Sequence, residues 1–206
     1  SESKGNDNQP VYSPDGNYIA FRSMERAGFE ADKYSLMIYD RKEKSFRNLT
    51  KEIDLKIGEM VWSPDSKTIY FNAPNEIYNS IYKINIETGE NSVIIKDVVS
   101  KNLAASGDGK TLYFLNQKST LPSEIFAIGT DGKNLRRITS VNEKLLSNIE
   151  MNEVDTFWSE GAEGAKVQSL LVKPPFFDST KQYPLIFLIH GGPQGHWTDD
   201  FHYRWN

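Results

Sequence analysis

Close to its C-terminal end the chain reads "LIFLIHGGPQGHW", Leu185 to Trp197. A histidine, two glycines, a proline and a third glycine after an apolar run suit acyl-transfer chemistry. In that chemistry negative charge builds on a carbonyl oxygen, and backbone N–H groups aimed at it lower the barrier. A side chain at such a position would obstruct the substrate, so glycine is favoured. A plain strand-to-helix turn uses similar residues. The histidine and the apolar run ahead of the doublet favour an oxyanion loop over that plainer reading. Few other residues are candidates for chemistry. No Gly-x-Ser-x-Gly occurs in the 206 residues, so no nucleophile elbow is present. The serines of "SPDG", "SPDS" and "SGDG" are expected in surface turns, without the strained elbow that makes serine reactive. His190, His196 and His202 fall within the last seventeen residues. Their spacing of six does not match i, i+4 ligation and no cysteine assists, so neither a metal nor another cofactor is expected.

These residues need elements to hold them, and the composition allows a folded core. The chain is 38% hydrophobic and 25% charged, with a net charge of -4. The charges are scattered, with no long basic run, so nucleic acid is not an expected partner. The longest apolar stretch is too short and interrupted to predict a membrane span. Residues 1–10 carry no apolar core of a signal peptide, though a mature or excised chain would read the same way. With no cysteine, disulfides and thiolate chemistry are excluded.

Three stretches repeat: "YSPDGNYIAF" from Tyr12, "WSPDSKTIYF" from Trp62 and "ASGDGKTLYF" from Ala105. Their serines are 50 and 43 residues apart. Each reads as a short strand, a tight turn and an alternating strand. Alternating segments follow, "YSLMIYD", "SIYKINIETG" and "EIFAIGTDG", and then "FRNLT" and "LRRIT" at matching places. Multi-strand units at this period are the mark of β-propeller blades, with an all-β sandwich as the alternative. About three units fit before residue 150, whereas closed propellers hold about four to eight blades. A partial propeller over residues 1–150 is expected, with its missing part on the N-terminal side.

The segment "SMERAGFEADK", Ser23 to Lys33, departs from the repeat. By residue type it reads as a solvated hairpin loop, with a ligand-facing loop as the alternative. After Met151 the pattern changes. "EVDTFWSEGAEGAKVQSLLVKPP" predicts a hairpin turning on Gly161 and Gly164. "LIFLIH" is apolar throughout, as in a strand covered on both faces of an α/β sheet. The first strands of an α/β-hydrolase domain are therefore expected over residues 151–206, truncated before the nucleophile.

Propeller repeats joined to an "HGGPQG" strand end resemble the prolyl oligopeptidase family of serine peptidases, in the dipeptidyl-peptidase V and acylaminoacyl-peptidase branch. "SPDGNYIAFRSMERAGFEADK" and "YRWN" carry the likeness, which spans about Pro10 to Asn206. The resemblance implies a peptide substrate cleaved through an acyl-enzyme by a Ser-His-Asp triad, with the propeller gating access. It implies that Gly192 donates one oxyanion amide, with Gly191 beside it and His190 orienting the loop. It implies that the triad lies beyond Asn206, so that this stretch alone is inactive and its partners are the rest of its own propeller and peptidase domain. Acidic propeller groups would hold the substrate's free amine, with Glu30 as the candidate. Location would be periplasmic or secreted, with the cytoplasm as the alternative. A propeller binding module resembling TolB would share the repeats but leave "LIFLIHGGPQG" unexplained. A simple esterase would lack the blades.

Overall fold

The Ser-x-Asp turns show how the repeat becomes structure. In the computed structural model, which describes residues 3–191 and 195–204, the Ser13 hydroxyl donates to Asp15 Oδ1 at 2.5 Å and accepts the Tyr18 amide at 2.9 Å. Asp15 Oδ1 also accepts the Asn17 amide at 3.0 Å. The same set recurs at Ser63, Asp65 and Thr68, and again at Ser106, Asp108 and Thr111. The third copy keeps this geometry although Gly107 stands where the other two have proline. Each turn needs a left-handed residue, with φ of 73° at Gly16, 62° at Ser66 and 70° at Gly109. Glycine adopts it without steric cost; Ser66 is strained there, and its hydroxyl is anchored by the Asp15 amide at 3.1 Å. The structure corrects one expectation: Ser13 and Ser63 are buried rather than on the surface. Each hydroxyl both donates and accepts inside its own turn, which satisfies it away from water.

β1 (Asp7–Tyr12), β2 (Tyr18–Ser23), β3 (Ser35–Asp40) and β4 (Ser45–Asn48) form an antiparallel sheet in chain order. β5 (Met60–Trp62), β6 (Thr68–Asn75), β7 (Tyr78–Asn85) and β8 (Asn91–Ile95) repeat this meander. So do β9 (Val99–Ala105), β10 (Thr111–Lys118), β11 (Leu121–Gly129) and β12 (Arg136–Arg137). One parallel pair, Asn79 with Val99, joins the second meander to the third.

The period of two along β6 explains the stacking. Ile69, Phe71 and Ala73 point into a core shared with Leu36 and Ile38 of the first meander. Tyr70 points the other way, into a core with Leu112, Phe114 and Ile128 of the third. The middle sheet is thus buried on both faces. Truncating Phe71, which is fully buried, would cost about 3–5 kcal/mol. Polar ties cross the same seams: Trp62 Nε1 donates to the Val11 carbonyl at 3.2 Å, and Lys83 Nζ to that of Thr130 at 3.0 Å. The outer face of the first meander is open. Ile19, Phe21, Tyr39 and Phe46 line a cavity of about 500 Å3 there.

Beyond β12 the meander stops. α1 (Glu143–Leu146) is a single turn, and β13 (Asp155–Glu160) and β14 (Lys166–Leu171) form the expected hairpin. Its left-handed residues are Glu163 and Gly164; Gly161 is not one of them. The run Leu185–Ile189 forms no strand, and among the described residues none pairs with it. Leu185 is 80% exposed and Ile189 81%. The expectation of a strand covered on both faces is therefore not met within this chain. Such a strand is buried only by neighbours that bond to its edges and by layers that cover it.

Candidate functional site

The connections β2–β3, β6–β7 and β10–β11 occupy the same place in each meander. The second and third are tight turns; the first is the long excursion. Asp32 closes that loop. Its carboxylate accepts the amides of Glu25 at 2.9 Å and Arg26 at 2.7 Å, and the Arg26 guanidinium at 3.2 Å. The Arg26 amide, helped by its guanidinium and opposed by burial, holds Asp32 below its ordinary pKa. Arg26 also lies over the Phe29 ring, 3.9 Å from its centroid. Glu30 sits at the exposed tip beyond these ties. The loop's charges read in sequence as one solvated group. They divide into a buried anchor, Asp32, and an exposed carboxylate, Glu30.

A cavity of about 400 Å3 opens among the ends of β2, β3, β7 and β9, lined by Arg22, Tyr34, Lys56, Glu59, Asn79 and Lys101. The Arg22 guanidinium lies 4.6 Å from the Tyr34 ring centroid and donates to Asn8 Oδ1 at 2.9 Å. Burial pulls its pKa down, with Tyr34 and Glu59 opposing. Gln9 on the rim has φ of 51°, beside the bulge in β1. No sequence motif marks this cavity, because its residues come from separate segments scattered between Gln9 and Lys101.

The chain beyond residue 150 returns to these same hairpins. Lys118 pairs with Glu153 at 3.4 Å, and Gln168 Nε2 donates to Glu76 Oε2 at 3.4 Å. Asp199 is buried; its amide donates to the Ile77 carbonyl at 3.0 Å, and its Oδ1 accepts the Ser119 amide at 2.8 Å. Asp200 accepts from Gln117 Nε2 and lies 3.9 Å from Lys101 Nζ. Between those anchors and the exposed apolar run lies the glycine loop. The His190 ring is 5.9 Å from that of Trp197, and His190 Nδ1 lies 3.3 Å from the Gly191 carbonyl oxygen. Gly191 is exposed, with open space where a Cβ would stand. Gly192 lies outside the described residues. The sequence alone did not single out Asp199 and Asp200, because two adjacent aspartates without a period look like ordinary solvated residues. His196 and His202 are exposed, and His202 stacks on Tyr203 at 5.4 Å. Among the described residues no group of three potential ligands gathers for a metal, and no helix is long and apolar enough to cross a membrane.

Comparison with known proteins agrees with this architecture. The family described as prolyl oligopeptidase, N-terminal β-propeller domain, matches residues 7–184. A probable dipeptidyl-peptidase 5 of Trichophyton verrucosum is 30% identical over 209 residues, covering 98% of this chain and 28% of the relative. The acylaminoacyl peptidase of Pyrococcus horikoshii superposes with a TM-score of 0.74 at 20% identity, covering 95% of this chain and 29% of that one. TolB of Acinetobacter baumannii gives 0.53 at 20% identity over 66% of this chain and 33% of its own. The chain thus spans about 28% of the curated relatives' length. With four-stranded antiparallel meanders stacked face to face and a family match across most of its length, the chain belongs to the prolyl oligopeptidase family, in its N-terminal β-propeller domain.

Proposed function

We propose that the chain is the propeller and junction part of a serine exopeptidase that cleaves short peptides through an acyl-enzyme. One observation carries this reading. His190, which opens "HGGPQG", packs on Trp197, and Asp199 two residues further on docks on the propeller's hairpin ends. In this reading the three meanders are three blades, residues 1–150 are propeller, and residues 151–206 begin an α/β-hydrolase domain. Leu185–Ile189 becomes a strand once neighbouring strands cover it. Gly192 supplies an oxyanion amide where charge develops, Gly191 leaves the approach open, and His190 orients the loop. Glu30 lies on the connection equivalent to the two turns that meet the junction. That supports its facing the peptidase side, where it would hold a substrate's free amine. The triad lies outside these residues, so the 206-residue chain is inactive by itself. The family resemblance favours the periplasm or secretion for the parent protein, with the cytoplasm as the alternative.

The second reading is a TolB-like binding module, favoured by the TolB superposition over 66% of the chain. One experiment separates them. The full-length protein and the 206-residue chain are assayed on dipeptidyl chromogenic substrates, with and without a serine-directed reagent. We expect turnover by the full-length protein alone, abolished by the reagent. A full-length protein without peptidase activity would overturn the proposal and leave the binding module.

A further inference from the structure

We infer that the cavity at the base of the long β2–β3 connection is a carboxylate-binding site, with Arg22 and Lys56 as its donors and an anionic group of a peptide as its ligand. The inference rests on the proposed peptidase reading and goes beyond it by naming a charge that the substrate carries. Arg22 stands near the end of β2 and Tyr34 just before β3, so the two flank the loop whose tip is Glu30. The Arg22 guanidinium lies 4.6 Å from the Tyr34 ring centroid, and Lys56 Nζ lies 5.8 Å from the same centroid. Folding thus brings two cations to one ring. Lys101 adds a third cation to the lining, and Glu59 is the one carboxylate there among the described residues. Glu59 Oε2 already accepts the Leu103 amide at 3.3 Å. The lining carries a surplus of positive charge in a chain whose net charge is -4.

The partners of Arg22 are neutral. The half-buried guanidinium donates to Asn8 Oδ1 at 2.9 Å and to the carbonyls of Gly58 and Ile57 at 3.3 and 3.4 Å. Among the described residues neither Arg22 nor Lys56 forms an ion pair. Holding a guanidinium partly out of water on neutral partners is costly, and a second cation nearby adds repulsion. An anion beside both removes both costs. The same contacts orient the group. Stacked on Tyr34 and bonded through Nε and Nη1, Arg22 keeps Nη2 for a ligand. A planar, fixed guanidinium suits a carboxylate, which accepts two parallel bonds. The rim already holds such a pair: Asp200 Oδ1, from the segment beyond residue 150, lies 3.9 Å from Lys101 Nζ. A volume of about 400 Å3 has room for a residue-sized group.

The test uses the full-length protein and one short peptide substrate in paired forms. The first pair is the free acid against the C-terminal amide; the second, within the amide, is Glu against Gln on the leaving side of the scissile bond. The charged member of a pair is expected to show a KM about tenfold lower, with kcat little changed, since a guanidinium–carboxylate contact acts on binding. A difference in the first pair assigns the C-terminal carboxylate, and one in the second an acidic side chain. Arg22→Gln is expected to abolish the preference. Lys56→Gln, at an exposed position, is expected to reduce it about threefold, and it decides the matter if Arg22→Gln does not fold. Equal KM values within both pairs would overturn the inference, as would a preference undiminished in either folded variant. Calorimetric titration of succinate onto the same proteins reads the site without cleavage. Succinate binding that weakens in Lys56→Gln, in a protein without peptidase activity, would sink the peptidase reading and leave the carboxylate site standing. Neither succinate binding nor cleavage would overturn both.

Discussion

Asp32 holds the Arg26 guanidinium at 3.2 Å and two successive amides of the same loop, leaving Glu30 at an exposed tip. Shape and charge are therefore assigned to different carboxylates.

Glu30→Gln in the full-length enzyme is expected to raise KM for dipeptidyl substrates about tenfold, the size of one charge-assisted hydrogen bond to an ammonium group. Melting temperature should not move. Asp32→Ala is expected to raise KM and lower the melting temperature together, since it releases the whole loop. Steady-state kinetics beside thermal melts decide the matter. A Glu30→Gln enzyme with unaltered KM removes Glu30 from the substrate's path.

The repeated turns predict a defined acid limit. The Ser63 hydroxyl, the Lys67 amide and the Lys67 charge hold Asp65 below its ordinary 3.8, with burial opposing. Asp15 and Asp108 are lowered first by their own serines, Ser13 and Ser106. A carboxylate with a lowered folded pKa binds its proton more weakly when folded. Its stabilisation is complete above the unfolded value and is lost as pH falls through the folded one. Urea midpoints of the chain should thus hold above pH 4 to 5 and decline below about 3.8. Ser63→Ala should cost about 1–2 kcal/mol at neutral pH, through the unpaired Thr68 amide, and flatten that decline. A steeper decline in the variant would contradict the assignment.

Glu124 closes the last meander. Its fully buried carboxylate accepts from Thr139 Oγ1 and from Arg137 at 3.1 Å, the two residues that bring β12 onto β11. Burial would raise its pKa, but Thr139, the Asn142 amide and Arg137 together hold it low. Removing one partner of such a group is costly, so Glu124→Ala should destabilise by about 3 kcal/mol. Glu124→Gln, still able to accept, should lose less. Hydrogen exchange at Phe126 and Ala127, which pair with Arg137 and Arg136, should quicken in both variants. Unchanged protection there would show that β12 is held by something else.

The exposed run Leu185–Ile189 predicts self-association of the 206-residue chain. A contiguous apolar patch of that kind seeks cover. Sedimentation should show concentration-dependent oligomers that Ile186→Lys together with Leu188→Lys reduces. A monomer at high concentration would mean that the run is covered by other means.

Much of this molecule was legible in the residues themselves. The Ser-x-Asp stretches announced tight turns, because aspartate bonds nearby backbone amides and glycine tolerates a left-handed φ. Alternation along "KTIYF" announced a strand, because a strand's side chains switch sides at every step. Three things were not local and were decided only by the tertiary structure. Ser13 and Ser63 became buried because neighbouring turns stack on them. The cavity around Arg22 gathered residues from scattered segments, Gln9 to Lys101, that no motif connects. Asp199 became a buried tie because folding carried Ile77 and Ser119, from distant parts of the chain, to its two sides. Local hydrogen-bond chemistry and side-chain period are written in the sequence; a buried carboxylate's partners are set by which distant amides the stacked sheets leave beside it.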